Sequence, residues 1–84
     1  MMSYEKVTQA DEVLIGTKQT LKAIEHGTAS EIIVAEDAAA EIQQRILKAA
    51  NESSVSIQFV DSMKKLGKAC GIDVGAATIA LKKQ

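Results

Sequence analysis

The sequence predicts an α/β fold, a three-layer α/β/α sandwich built around a four-stranded mixed sheet. Three observations support it: short apolar runs alternate with stretches of helical periodicity, one run in the middle of the chain is rich in β-branched residues, and turn or capping residues mark the junctions. No repeat or linker interrupts this alternation, so we expect residues 1–84 to form a single domain with one hydrophobic core.

The best-defined predicted element is a helix over residues 16–26, which follows a short apolar strand. Gly16 permits the tight turn at its start, where either Gly16 or Thr17 is the N-cap. Gly27 supplies the left-handed residue after its end. The helix is therefore bounded by a glycine on each side.

The same helix carries a polar patch at its start. Leu21 and Ile24 form an inward apolar stripe, with Thr17 or Thr20 beside them. Lys18, Gln19 and Lys22 then share the outer surface, because residues three and four apart are neighbours on a helix. The patch thus combines two cations, one amide and the free N–H groups of a helix start. Such groups can hold an anionic backbone and contact the edge of a base beside it.

The other elements follow from the same patterns. Residues 31–35 form a continuous apolar run that predicts a central strand buried on both faces. Asp37 is the expected cap of the helix after it, and Asp61 or Ser62 caps the last helix, which Gly71 ends. In order, the remaining predictions are a weak helix over 3–11 with Ser3 as its cap, strands over 13–15, 55–60 and 76–81, helices over 39–51 and 63–70, a loop over 72–75 and a frayed end over 82–84.

Composition limits the classes of function. The net charge of −1 argues against binding nucleic acid by bulk electrostatics, but the charges are unevenly placed. With only two aromatic residues, Tyr4 and Phe59, recognition by stacking bases on a sheet is nearly excluded. The lysines that fall in two predicted helices, and therefore allow one basic face, are Lys18, Lys22, Lys64, Lys65 and Lys68.

The chain carries no pattern of export or membrane insertion. A single cysteine excludes an internal disulfide and fits a reducing cytosol. The N-terminus lacks the basic and apolar regions of a signal peptide, and the longest apolar run, over residues 32–35, is too short to span a bilayer. We therefore expect a cytoplasmic protein with no membrane partner.

Catalysis has little support in the sequence. Gly16 to Gln19 lacks the second glycine and the Gly-Lys-Ser/Thr order of a nucleoside-triphosphate loop. Glu36 and Asp37 could bind a metal only if the strand has already turned, because adjacent residues on a strand point to opposite faces. Cys70 lies on an apolar stripe without a base nearby in the sequence. No catalytic residue, metal site or cofactor is predicted.

Ile72 and Val74 are the least expected residues of the predicted loop. Both are branched apolar side chains in a loop, outside any predicted core strand, which suggests that they form a surface contact. The alternative is that they pack in the core, as such side chains ordinarily do. One helix start and one apolar loop, both beside lysines, would form the two walls of a groove.

Three motifs in order resemble the L-seven-Ae family of kink-turn-binding ribosomal proteins, in particular its small bacterial branch. The resemblance covers residues 11–81. Its motifs are Ile15-Gly16-Thr17-Lys18-Gln19-Thr20-x-Lys22, Ile33-Val34-Ala35-Glu36-Asp37-Ala38, and Leu66-Gly67-Lys68-Ala69-Cys70-Gly71 with Val74-x-Ala76.

The resemblance implies the α/β/α fold and one kink-turn RNA-binding domain. A kink-turn is a sharply bent RNA built on tandem sheared G·A pairs, and the helix start would face those guanines and their phosphates. The loop would cover the extruded nucleotide of the bend. The implied RNA-binding residues are Gly16, Thr17, Lys18, Gln19, Lys22, Lys64, Lys68, Cys70, Gly71, Ile72, Asp73, Val74, Gly75 and Ala76.

The sequence departs from the family pattern at several places, two of which lie in the implied site. Archaeal and eukaryotic members usually carry Asn-Glu where this chain has Lys18-Gln19, which changes the expected pattern of guanine contacts. Gly75 stands where many relatives have proline, and Met63 where many have lysine.

The resemblance leads to a functional hypothesis, and three alternatives stand beside it. We expect a non-enzymatic, monomeric RNA-binding protein that recognises a kink-turn on or near the ribosome. The alternatives are a regulatory or RNA-processing protein on other structured RNA, a protein-interaction module that has lost RNA binding, and a small hydrolase built around Glu36 and Asp37.

Overall fold

The computed structural model describes residues 4–83 and confirms the predicted three-layer sandwich with a four-stranded mixed sheet. In chain order, the elements are α1 (Tyr4–Gln9), β1 (Val13–Ile15), α2 (Thr17–His26), β2 (Ala29–Ala35), α3 (Ala40–Glu52), β3 (Ser56–Val60), α4 (Met63–Ala69) and β4 (Thr78–Lys82).

The last strand lies inside the sheet, in the order β1-β4-β2-β3. β4 runs antiparallel to both β1 and β2, while β2 and β3 are parallel. β1, β2 and β3 therefore share one direction, and their carboxyl ends, at Ile15, Ala35 and Val60, lie at one edge of the sheet. We call this the carboxyl edge; α2, α3 and α4 all follow strands that end there.

Side-chain alternation along the strands builds the two outer layers. Ile33 and Ile79 pack with α1 and α4 on one face, whereas Ile32 and Ala80 pack with α2 and α3 on the other. The prediction that the central strand is buried on both faces is confirmed, since residues 32–35 are fully buried. β3 is one of the two edge strands of the sheet, which explains why Phe59 remains 42% exposed.

Hydrogen bonds hold α1 against α4. The Tyr4 hydroxyl donates to the Asp61 carboxylate at 2.5 Å and accepts from the Ser62 N–H at 3.2 Å. The Tyr4 hydroxyl and then Lys65 hold the pKa of the Asp61 carboxyl below its usual value. Ser62 itself caps α4, because its hydroxyl accepts from the Lys65 N–H at 3.2 Å. Of the two predicted caps, Ser62 is the one used.

The predicted cap of α3 is wrong. Ala39 is the N-cap of that helix and makes no side-chain hydrogen bond. The Asp37 carboxylate instead accepts from the Met63 N–H at 2.8 Å, at the first residue of α4. The end of β2 is thereby tied to α4, where a carboxylate also complements the helix dipole.

The end of the chain also differs from the prediction. β4 begins at Thr78 rather than residue 76 and continues through Lys82. Lys82 pairs with Ala29, and its ammonium group lies 3.3 Å from the Glu12 carboxylate. The predicted frayed end is therefore wrong for Lys82.

The remaining predicted boundaries shift by a few residues. α1 is shorter than expected, β2 starts two residues earlier and β3 starts one later. Gly16 is the N-cap of α2, and Gly27 follows that helix with a left-handed φ of 70°, as predicted. The predicted cap at Ser3 and the predicted fraying of Gln84 concern residues outside the described range.

Two buried threonines on the α2–α3 side differ in their hydrogen bonds. Thr78 donates from its hydroxyl to the Ile33 carbonyl oxygen at 3.0 Å, whereas the Thr20 hydroxyl has no partner within residues 4–83. We expect Thr20→Val to stabilise the protein or leave its stability unchanged, because an unpaired buried hydroxyl costs about 1–3 kcal/mol. Urea unfolding measures the change.

Thr78→Val is the matched control, with the same change of shape at an equally buried position. It should lower the free energy of unfolding by about 1 kcal/mol, because a satisfied hydrogen bond is lost. If Thr20→Val cost as much as Thr78→Val, the Thr20 hydroxyl would have a stabilising partner.

Candidate nucleic-acid interface

The predicted helix start and the predicted loop both lie at the carboxyl edge, where they line two separate concavities. The Gly16 N–H donates to the Thr78 carbonyl oxygen at 3.0 Å, and the Ala35 N–H donates to the Ala77 carbonyl oxygen at 2.9 Å. The segment that enters β4 is thus fixed beside the turn that leaves β1. The two sequence regions predicted as the walls of a groove are brought to the same edge of the sheet.

The start of α2 leaves backbone donors available. Gly16 adopts φ 105° and ψ 161°, a conformation that side chains disfavour, and no side chain caps the helix. Its neighbour at the same edge, α4, is capped by two side chains. Of these two helices, α2 is therefore the one whose first-turn N–H groups can donate to an external anion; the start of α3 likewise has no side-chain cap.

The polar patch on α2 has the predicted arrangement. Lys18, Gln19 and Lys22 are all exposed, while Thr20 and Ile24 face the core. Thr20, not Thr17, joins the inward stripe, together with Ala23, which the sequence reasoning did not assign. Neither Lys18 nor Lys22 forms an ion pair within the described part of the chain.

A close backbone approach fixes the loop against α4. A Cβ built on Gly67 would lie 1.9 Å from the Val74 carbonyl oxygen, so only glycine fits there. The Ile72 N–H donates to the Gly67 carbonyl oxygen at 3.1 Å, and the Ala76 N–H donates to the Met63 carbonyl oxygen at 3.0 Å. Gly71 makes the turn into the loop with a φ of 80°. The loop is therefore anchored at both ends.

The loop presents an apolar side chain to solvent beside lysines. Val74 is 69% exposed, the most exposed large apolar side chain among residues 4–83, and Ile72 is half-buried. Both line an open concavity of about 270 Å³. Its lining residues are Lys64, Lys68, Ile72, Asp73, Val74 and Gly75.

Five predicted site residues are less accessible than the others, namely buried Ala76 and half-buried Gly16, Thr17, Cys70 and Ile72. Ala76 is 3% exposed and belongs to the core cluster. Cys70 is half-buried against the same cluster, and burial raises the pKa of its thiol, which therefore stays protonated at neutral pH. Thr17 is half-buried. Within the candidate interface, the exposed groups are thus the lysines, Gln19 and the loop from Gly71 to Gly75, with half-buried Ile72 among them.

A second concavity, of about 410 Å³, adds residues that sequence reasoning missed. It lies between α2 and α3 and includes Arg45, whose distance from Lys22 depends on how the two helices pack. No local pattern could have found Arg45, because the two residues are 23 positions apart in the chain. The lining residues are Thr17, Lys18, Leu21, Lys22, Glu25 and Arg45.

The residues considered as catalytic or metal-binding candidates have structural roles or do not converge as metal ligands. Asp37 holds the start of α4, and the Glu36 carbonyl oxygen accepts from the Gln43 side chain. Within residues 4–83, no three histidine, cysteine or acidic side chains converge to hold a metal ion. No helix in the same range is both long and apolar enough to cross a bilayer.

Comparison with known proteins gives a consistent result. The family model described as ribosomal protein L7Ae/L30e/S12e/Gadd45 matches residues 2–84. A protein of Geobacillus thermodenitrificans named RNA-binding protein is 60% identical over 80 residues, which span 95% of this chain and 98% of that protein. A protein of Halalkalibacterium halodurans, also named RNA-binding protein, is 57% identical over 98% of this chain and 100% of its own length.

One solved structure has the same fold at lower identity. It is the Giardia lamblia 15.5kD RNA binding protein, with a TM-score of 0.83 and 27% sequence identity. The match covers 96% of this chain and 68% of the Giardia chain.

The contact between Gly67 and the loop can be tested directly. Gly67→Ala should displace the Val74 carbonyl and lower the free energy of unfolding by about 1–3 kcal/mol, as overpacking typically does. Amide chemical shifts of residues 72–75 would report the displacement.

Gly75→Ala is the matched control, because a Cβ there would lie 3.3 Å from the Met63 Cβ and needs only a small adjustment. Its effect on stability and on the shifts should be clearly smaller. Equal effects from the two variants would contradict a special role for the approach at Gly67.

Proposed function

The chain belongs to the ribosomal protein L7Ae/L30e/S12e/Gadd45 family, and from this we propose that it is a non-enzymatic RNA-binding protein that recognises the kink-turn. We further propose that it acts as a monomeric domain in the cytoplasm, in association with the ribosome. The names of its relatives, which describe RNA-binding proteins, support the coarser part of this proposal. The geometry of the carboxyl edge supports the finer part.

The observation that carries the proposal is the position of an uncapped helix start beside an anchored apolar loop. The first-turn N–H groups of α2 are donors that a phosphate oxygen can satisfy, and Lys18 and Lys22 supply charge next to them. The loop, held through Gly67, presents Val74 on the same edge. A ligand that spans both must offer phosphates to one wall and an apolar face to the other.

A sharply bent RNA meets those requirements. An extruded base has an unstacked apolar face that Val74 can cover, while the strand beside it carries phosphates to α2. Gln19 is exposed within the basic patch, and its amide oxygen can accept from a guanine N–H. Phosphate contacts would position the RNA, and the amide and loop contacts would provide selectivity.

We expect the protein to bind a kink-turn RNA much more tightly than an unbent duplex of equal length, because its basic surface is too small for strong general affinity. Lys22→Ala should weaken binding to the kink-turn and reduce the slope of log affinity against log salt by about one, as for one lost phosphate contact. Titrations at several salt concentrations measure both quantities.

Lys83→Ala is the control, because Lys83 is exposed at the opposite edge of the sheet, where its N–H donates to the Thr28 carbonyl oxygen. It should leave affinity and slope nearly unchanged. Equal affinity for bent and unbent RNA would refute kink-turn recognition. Absence of binding to any structured RNA would favour a protein-interaction module instead.

The loop should contribute affinity that does not depend on salt. Val74→Ser should weaken kink-turn binding by about 1 kcal/mol, roughly half the value of fully burying such a side chain. The salt slope should not change, because no phosphate contact is lost. Affinity measurements and thermal melts on the same variant test this.

Because Val74 is exposed, its substitution should disturb the fold less than the same substitution at half-buried Ile72. Val74→Ser should leave the melting temperature nearly unchanged, and Val74→Leu, which keeps an apolar surface, should retain affinity. A Val74→Ser variant that binds as tightly as the unmodified protein would remove the loop from the interface.

A further inference from the structure

The concavity between α2 and α3 extends the candidate interface beyond the residues assigned to it so far. It shares Thr17, Lys18 and Lys22 with that interface and is continuous with the polar patch on α2. Leu21 contributes an apolar side chain to its lining, and Arg45 contributes a cation from the other helix. A ligand strand held at Lys22 would therefore pass beside Arg45.

The charges in this concavity favour an anion. The lining contains three cations, Lys18, Lys22 and Arg45, and one carboxylate, Glu25. It therefore carries two net positive charges, on a protein whose total charge is −1. A concave surface lined by one sign of charge concentrates the local potential.

Arg45 is available to an external partner. Its side chain is exposed and forms no ion pair with any residue from 4 to 83, whereas Lys6, Lys65 and Lys82 are each paired with a carboxylate. A guanidinium group offers several N–H donors in a planar fork that matches phosphate oxygens.

We propose that Arg45 binds a backbone phosphate of the same RNA, on the strand that continues from the phosphate held by Lys22. This inference rests on the proposed function and extends the RNA interface from α2 onto α3. The RNA ligand would thus include one of the helical arms beside the bend as well as the bend itself.

The test compares Arg45→Gln with Lys48→Gln, using a kink-turn RNA with full helical arms. Lys48 is an exposed cation on the same helix, and it lies outside the lining of the concavity. Arg45→Gln should weaken binding roughly three- to tenfold and reduce the salt slope by about one. Lys48→Gln should change affinity less than twofold with an unchanged slope.

Arg45→Lys provides a second measurement. It keeps the charge and loses the fork, so it should keep the salt slope while losing part of the affinity. Thermal melts of all three variants should match that of the unmodified protein, because both positions are exposed.

The outcomes separate this inference from the proposed function. If Arg45→Gln behaves like Lys48→Gln while Lys22→Ala still weakens binding, the interface does not reach α3 and the proposed function stands. A loss of affinity without a change of slope would overturn the phosphate contact. If the unmodified protein shows no preference for the kink-turn, the proposed function itself fails.

Discussion

The insertion of β4 between β1 and β2 is the constraint on which the molecule depends. Without it, β1 has no hydrogen-bonded neighbour, because the sheet order is β1-β4-β2-β3. Since β4 is antiparallel to both neighbours, the segment that enters it must start at the edge where β1 and β2 end. This places the loop beside the start of α2. The pairing of Val13 with Leu81 joins the first and last strands of the chain, so the sheet is completed only when the last strand docks.

The helices that start at the carboxyl edge differ in whether side chains cap them. Asp37 and Ser62 occupy donors at the start of α4, while the start of α2 has no side-chain cap. The chain thus satisfies one helix start with its own side chains and leaves the start of α2, like that of α3, without a side-chain cap. Lys18 and Lys22, which form no ion pair within residues 4–83, lie beside the start of α2. On the proposed function, a protein with a total charge of −1 would in this way present a local anion-binding surface without general affinity for polyanions.

Local patterns predicted the parts of this structure that depend on local chemistry. The glycines on either side of α2 and the buried strand over residues 32–35 follow from backbone conformation and hydrophobic periodicity. Asp37 was assigned to the wrong helix because its partner, the Met63 N–H, is 26 residues away. Arg45 was missed for the same reason, since its place beside Lys22 results from helix packing. The extension of β4 through Lys82 likewise depends on pairing with Ala29, a contact that no property of residues 82–84 reveals.

The anchoring of the loop bears on how the protein would select a bent RNA. Shifting a two-state equilibrium from 1:99 to 99:1 requires about a 10⁴-fold preference for the favoured state, and a few phosphate contacts that both conformers offer cannot provide it. The preference must come from groups that only the bent form contacts together. The α2 start and the loop are joined through hydrogen bonds from Gly16 and Ala35 to the segment entering β4, so their separation is fixed before RNA arrives. A flexible loop could follow an extended strand as easily as a bent one, whereas a loop held through Gly67 cannot. On the proposed function, the close packing at that glycine is therefore a source of selectivity as well as of stability.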